Sequence, residues 1–237
     1  MFAVEDRHWW YTGMKQITCT LIETLYPQRR DLHILDAGCG TGGALRYLQQ
    51  YGAVVGCDIS PLALNLARQR GTGDLCRASV QNLPLQAAAF DLIVSFDVLY
   101  HQQAADYTAA LQSFRHTLRP GGHVLLRLPA YDWLRGHHDQ VIHTQRRFTA
   151  SVLREALAAS QFTVVKLSYA NTILFPLAVA KRLSERVFPP EEGQSDVKEN
   201  PGWQDKLLAH ALLAESRFLK HGNLPFGLSV VAIGRKE

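Results

Sequence analysis

The residues best placed to do chemistry are two acids that bracket a glycine turn. Ile34-Leu35-Asp36-Ala37-Gly38-Cys39-Gly40-Thr41-Gly42-Gly43 runs from an apolar strand into the turn, and Val54-Val55-Gly56-Cys57-Asp58-Ile59 answers it one strand later. Glycines at 38, 40 and 42 let backbone amides approach a ligand, and an acid ending the next strand can accept hydrogen bonds from both ribose hydroxyls. A dinucleotide fingerprint instead spaces its glycines G-x-G-x-x-G and sets a pyrophosphate on a helix N-terminus. Here Asp36 stands at the mouth of the turn, where a carboxylate repels a phosphate and can hold an ammonium group, directly or through water. An amino-acid end and a ribose without phosphate describe S-adenosylmethionine. The plainer alternatives are that Asp36 braces the glycine loop and that Asp58 caps the following helix.

Taken in order, Leu35-Asp36-Ala37-Gly38-Cys39-Gly40-Thr41-Gly42, Asp58-Ile59, Asn82-Leu83-Pro84-Leu85 and Phe90-Asp91-Leu92-Ile93-Val94-Ser95 resemble successive motifs of the class I S-adenosylmethionine-dependent methyltransferases, in the small-molecule branch called type 11. The resemblance covers roughly residues 30 to 130. It implies an α/β, Rossmann-like fold with a mostly parallel seven-stranded sheet, an antiparallel last strand and helices on both faces. It also implies methyl transfer from S-adenosyl-L-methionine, leaving S-adenosyl-L-homocysteine. On that reading Asp58 takes the ribose, Ile59 lies against adenine, and Phe96, with Asp97, lines the pocket near the sulfonium. Relatives usually place an acid just after the third strand to meet the adenine amino group. This chain has Ser79 there, so the Ser79 hydroxyl and the Val80 backbone are left to recognise adenine.

Candidates for acceptor chemistry follow the fifth strand, between Tyr131 and Phe148. The segment resembles a histidine-aspartate and histidine-x-x-arginine-arginine-aromatic stretch found in a subset of type 11 relatives. His138 or His143 could act as a base near neutral pH with Asp139 orienting one of them, Arg146 or Arg147 could meet an anionic acceptor, and Tyr131 could line its site. The competing reading is a hydrogen-bonded loop that shapes the pocket and anchors the helix from Ser151. Histidines without a firm ligand geometry do not point to a metal. A second group of candidates precedes the sheet in Glu5-Asp6-Arg7-His8-Trp9-Trp10-Tyr11. Folded back as a lid, it would bring Tyr11 to the cofactor and set Trp9 and Trp10 as walls of the acceptor site; alternatively the tryptophans anchor the first helix.

The elements that must carry these residues follow from periodicity. A helix is expected from Trp9 to Tyr26 as the end of an N-terminal lid-and-helix unit (1–26), then strands ending at Asp36 and Asp58 with a helix over Gly43 to Gln50 between them. Ser60 should cap the next helix, with Pro61 in its first turn. A short strand over Asp74 to Ala78, a central strand over Phe90 to Phe96, a helix over Tyr107 to Leu118 and a strand over His123 to Leu128 come next. A helix over Ser151 to Ser160, a sixth strand over Phe162 to Ser168 and a last strand over Leu228 to Ile233 complete the set. The long connection 169–226 should carry its own structure and reads as a helical substrate cap, apolar over Asn171 to Val187, broken by Pro176, and helical again over Trp203 to Leu219; the plainer alternative is packing of its helices against the main sheet, and a membrane-surface role is the weaker third reading, since Leu174-Phe175-Pro176-Leu177 is followed by few basic residues.

A chain of 237 residues with 47% hydrophobic composition fits one such domain, 1–237. The net charge of +4 is small, so a basic track for nucleic acid is not expected; a small molecule, anionic or apolar, is the expected partner. Cysteines at 19, 39, 57 and 76 have neither paired spacing nor a histidine cluster, which points to a reducing, cytoplasmic setting without zinc or disulfides. The start lacks a signal-peptide pattern, and no apolar run is long enough to span a bilayer. The leading expectation is methyl transfer to a small or medium organic molecule in biosynthesis. RNA methylation and a non-catalytic, cofactor-binding interaction protein stay open, as do the methylated atom and the oligomeric state.

Overall fold

A predominantly apolar run needs cover on both faces, and Phe90-Asp91-Leu92-Ile93-Val94-Ser95-Phe96 finds it as a central strand, with residues 92–95 buried in succession. The computed structural model describes residues 5, 8–71, 73–101, 104–136, 146–187 and 202–237. Its strands are β1 (Leu32–Ala37), β2 (Gly52–Asp58), β3 (Asp74–Arg77), β4 (Phe90–Phe96), β5 (Leu118–Pro129), β6 (Phe162–Ala170) and β7 (Ser229–Lys236). They form one seven-stranded sheet in the order β3-β2-β1-β4-β5-β7-β6. Pairing is parallel except for β7, which runs antiparallel to both β5 and β6. The carboxyl ends of β1, β2, β4, β5 and β6 therefore share one edge, where the connecting loops converge.

Helices α1 (Trp9–Leu25), α2 (Leu45–Leu48), α3 (Pro61–Gln69), α4 (Ala104–Thr117), α5 (Ala150–Ala159), α6 (Phe175–Val187) and α7 (Gly202–Leu219) connect or flank these strands. One core packs Leu111, Phe114, Leu153 and Leu157 of α4 and α5 against Leu35, Ile93, Val124 and Leu126. The other packs Ile17, Leu21, Leu45, Leu64 and Leu212 against Ile34, Leu92, Leu125 and Val231. The expected cap is present: the Ser60 hydroxyl accepts from the Ala63 N–H at 3.2 Å with Pro61 in the first turn. Thr149 caps α5 in the same way, so that helix starts at Ala150.

Several boundaries differ from the sequence reading: the helix expected from Tyr107 begins at Ala104, and the last strand continues to Lys236. Strand β5 begins at Leu118 because Leu118 pairs with Phe90, and a shift of register between Phe90 and Leu92 absorbs the Arg119-Pro120-Gly121-Gly122 turn. Pro176 does not break a helix. It stands at the second position of α6, where the amide hydrogen it lacks has no intrahelical partner to lose. Helix α2 has only four residues, since the chain tightens into a 3₁₀ turn over Gln49–Tyr51 before β2.

Within 169–226, α7 lies along α1. Leu212 is fully buried, and Glu215 accepts the backbone N–H groups of Asn171 at 2.6 Å and Ile173 at 2.7 Å. A Cβ built on Gly13 of α1 would stand 2.6 Å from Leu212 Cβ, an atom fixed to its own backbone, so the absence of a side chain at 13 is what lets the helices meet. Gly13→Ala should force them apart and cost about 1–3 kcal/mol. Thermal unfolding should register this as a loss of roughly 3–10 °C, and an unchanged midpoint would show that the contact contributes nothing.

Candidate cofactor and acceptor site

Beyond β1 the backbone turns through Gly38, at φ 85°, where a Cβ would come within 2.3 Å of a Val98 methyl; no other residue fits both the conformation and the space. The Gly38 and Cys39 N–H groups both donate to the Cys57 carbonyl at 2.8 and 2.9 Å, tying the loop to β2. Gly40, two residues on, faces open space. The Asp58 carboxylate organises this region through both oxygens: Oδ2 accepts from the Gly40 N–H at 2.9 Å and Oδ1 from the Ser60 N–H at 2.8 Å. Each oxygen retains a lone pair for a hydroxyl. Beside it Ile59 is 65% exposed, an apolar side chain at the edge of the cleft with the shape to meet a flat ring.

Asp36 is buried, and its Oδ2 has no hydrogen-bond partner among the described residues. Burial pushes its pKa up to about 7, helped by the Asp58 charge and opposed by Arg127. An orphaned carboxylate oxygen at the mouth of a glycine turn calls for a cationic donor, and an ammonium group supplies one. Ser79 is half-buried and closes a tight turn: its hydroxyl accepts from the Gln81 N–H at 3.3 Å and its carbonyl from Asn82 at 3.1 Å. The Val80 side chain belongs to the core, which leaves its backbone as the part able to face a ligand.

The N-terminal residues meet this edge at two points. Glu5 accepts the Thr41 hydroxyl at 2.6 and 2.7 Å and an Arg70 N–H at 2.9 Å, while Arg70 also donates to the Thr41 carbonyl at 2.9 Å. Both partners of that ion pair are largely buried, so it fastens Glu5 onto the glycine turn. Farther along, Arg127 of β5 donates twice to Asp97 Oδ2, at 3.0 and 2.7 Å. Its guanidinium lies 5.0 Å from the Trp10 ring and 4.7 Å from that of Phe96. Asp97 sits at φ 57°, a strained conformation for a residue with a side chain, at the point where β4 ends. Tyr11 shares this neighbourhood, and burial, with Glu5 and Asp97 nearby, pushes its hydroxyl up to about 12. Trp9 and Trp10 are partly buried against the core beneath α1.

On the acceptor side, Tyr131, at φ 57°, stacks on Tyr169 at 5.2 Å with an interplanar angle of 14°. Phe175 meets Tyr131 edge-on at 5.8 Å. Arg146 sits over the rings of Tyr107 and Phe148, at 5.4 and 5.2 Å, and Arg147 donates to the Ala130 carbonyl at 3.1 Å while its N–H reaches Asp132 at 2.8 Å. The two arginines thus brace the return of the chain beside β5. His138, Asp139 and His143 lie outside the described residues.

Asp36, Gly38, Gly40, Gly42, Asp58, Ile59, Tyr11, Trp10 and Phe96 are gathered at one sheet edge. Sequence reading passed over Arg127, Thr41 and Arg70. Arg127 had a signal, a single charge inside the apolar run Val124-Leu125-Leu126-Arg127-Leu128. Thr41 and Arg70 had none, because their partner is far away in the chain.

Residues 35–126 match the family described as methyltransferase domain. The malonyl-[acyl-carrier protein] O-methyltransferase of Pseudescherichia vulneris is 33% identical over 140 residues, covering 56% of this chain and 55% of that protein. The probable tRNA methyltransferase 9B of Homo sapiens is 32% identical over 120 residues, 49% of this chain and 25% of that protein. The chain thus spans about half the length of the first relative and a quarter of the second. The S-adenosylmethionine-dependent methyltransferase from Mesorhizobium loti shares the fold, with a TM-score of 0.60 at 18% identity over 93% of this chain and 98% of its own. The glycine turn with its two acids falls inside the matched stretch, so residues 35–126, which hold both carboxylates, are similar to a methyltransferase domain and stand on a sheet of the same fold as the Mesorhizobium loti enzyme.

Proposed function

We propose that the chain transfers a methyl group from S-adenosylmethionine to a small or medium organic acceptor, in biosynthesis, by in-line displacement. The observation that carries the reading is the pair of carboxylates on either side of the open Gly40 backbone, one of them with an orphaned oxygen. When bound, the cofactor supplies an electrophilic methyl on a sulfonium, which leaves as S-adenosylhomocysteine. Asp36 holds the ammonium, Asp58 accepts the ribose hydroxyls, Ile59 covers one adenine face, and the Ser79–Val80 turn meets the adenine edge. Gly38, Gly40 and Gly42 bring the backbone close, while Tyr11 and Phe96 exclude water around the sulfonium.

Positioning the nucleophile against the methyl carbon supplies much of the rate of such a displacement. Trp9, Trp10 and Tyr131 wall the acceptor, and Arg146 or Arg147 meets it where it is anionic. His138 or His143, oriented by Asp139, takes the proton that an oxygen or nitrogen nucleophile gives up. The acceptor class is favoured over RNA by the aromatic lining of the edge and the modest net charge of +4.

Incubation with methyl-labelled cofactor tests this against carboxylic, phenolic and amine acceptors in one arm and total RNA in another. Label should enter a small acceptor, and His138→Ala or His143→Ala should slow its transfer by about 10²–10⁴-fold. Label only in RNA would reassign the acceptor. Tight cofactor binding with no transfer in either arm would favour a non-catalytic protein, and full transfer by both variants would remove the histidine base.

A further inference from the structure

The turn after β4 carries a carboxylate that the cofactor contacts do not use. Asp97 stands at φ 57°, and Val98 beside it reaches over Gly38, so this turn lies against the glycine turn. Aspartate tolerates the left-handed region better than most residues, which accounts for its type at 97 but not for its partner. That partner is Arg127, a cation inside the apolar run of β5 with a side chain only 11% exposed. Burying a guanidinium is costly unless an opposite charge and hydrogen bonds hold it. Both Nε and Nη2 donate to the same oxygen, Asp97 Oδ2, and the guanidinium lies against the Trp10 and Phe96 rings. Two bonds and two rings fix its plane, and with it the carboxylate. The other oxygen, Oδ1, accepts no hydrogen bond from a described residue, and the Asp97 side chain is 25% exposed.

Strand β4 stands between β1, which runs into the glycine turn, and β5, which leads to Tyr131, so Asp97 is set between the cofactor residues and the acceptor residues. A carboxylate bound to a guanidinium only accepts hydrogen bonds, and the group that completes Oδ1 is therefore a donor. An amine or a hydroxyl brings an N–H or O–H to such an oxygen. An ionised carboxylate brings acceptors alone, together with a like charge. We propose that Asp97 is a catalytic residue that touches the acceptor: Oδ1 takes the N–H or O–H of the nucleophile and turns its lone pair toward the methyl carbon, with Arg127 as the positioning residue behind it. The inference rests on the methyl-transfer reading and narrows its acceptor to an amine or hydroxyl compound. In the step, the lone pair forms the C–N or C–O bond and the C–S pair stays on sulfur. The proton left on the methylated atom is shared with Oδ1 until the base or water removes it.

Sinefungin, an analogue of S-adenosylmethionine that carries a protonated amine where the methylated sulfonium stands, probes this position before any acceptor is known. In calorimetric titrations of the full chain, the wild type should bind it at least about tenfold more tightly than S-adenosylhomocysteine. Asp97→Asn keeps the backbone conformation, because asparagine also adopts the left-handed region. It should cut the preference to about threefold or less and leave S-adenosylhomocysteine binding within about threefold of wild type, which reports an intact fold. Arg127→Lys retains the charge without the paired donation and should give an intermediate preference. In a second arm, methyl label transferred from the cofactor into a cell extract should resist mild base, as amine and ether methyls do. No preference in the wild type, an equal preference in Asp97→Asn, or label released by base as from a methyl ester would overturn the proposal. Failure of the wild type to bind S-adenosylmethionine or S-adenosylhomocysteine would instead remove the methyl-transfer reading itself, and the proposal with it.

Discussion

Asp58→Ala is expected to weaken S-adenosylmethionine binding by about 10²–10⁴-fold. Hydrogen bonds to a charged acceptor contribute about 1.5–3 kcal/mol each, two ribose hydroxyls are at stake, and about 1.4 kcal/mol is a factor of ten. The same carboxylate also accepts the Gly40 and Ser60 N–H groups, so the variant loses the geometry of the turn along with the ligand contacts. Asp58→Asn keeps one acceptor oxygen and should fall between. Calorimetric titration of the three proteins with the cofactor and with its demethylated product gives the comparison. Equal affinities would place the nucleoside elsewhere and remove the principal support for the proposed site.

Cofactor affinity should also depend on pH through Asp36. Its ordinary value is 3.8, and burial raises it to about 7 in the folded protein. Between those values the native state keeps a proton that the unfolded chain has released. The stability this contributes is full below pH 4 and lost as pH rises through 7, where ionisation leaves a buried carboxylate with an orphaned oxygen. An ammonium group reverses the preference by favouring the ionised form. Binding below pH 7 must then release a proton, and affinity should drop by about tenfold for each pH unit below that point. His8 has a value lowered by burial and caps α1 through its ring nitrogen, so it could add a second acidic transition. Asp36→Asn separates the two: the variant should bind weakly, lose the dependence near pH 7, and be more stable than wild type without ligand at pH 8. Titrations at pH 5.5 and 8 that give the same affinity would exclude the ammonium role.

What could be read without coordinates was whatever the local chain enforces. Strand β4 was delimited at Phe90 and Phe96 because both of its faces are buried, and an apolar run that long tolerates no other period. Ser60 and Pro61 announced α3 because capping and the first helical turn are matters of adjacent atoms. The glycine turn and the acids at 36 and 58 were legible for the same reason, since close backbone approach demands particular residue types at fixed spacing. Together these carried the resemblance that implied a seven-stranded sheet with an antiparallel last strand, and the cofactor class; the strand order came from the tertiary structure.

Contacts between distant parts of the chain left little trace. Glu5 meets Thr41 and Arg70, Arg127 meets Asp97 and Trp10, and α7 lies on α1 across Gly13, with no shared period to betray any of them. Polar residues that look like surface in the sequence become buried pairs only when three elements arrive together, and Asp36 acquires its shifted pKa only from the burial that follows. The apolar half of α6 read as part of a substrate cap, and only packing decided that Leu177 stands exposed beside Phe175, Trp133 and Phe226. Residue type and spacing are local and set the chemistry available to this chain; burial and charge environment are collective, and they exist only once the sheet edge has been assembled.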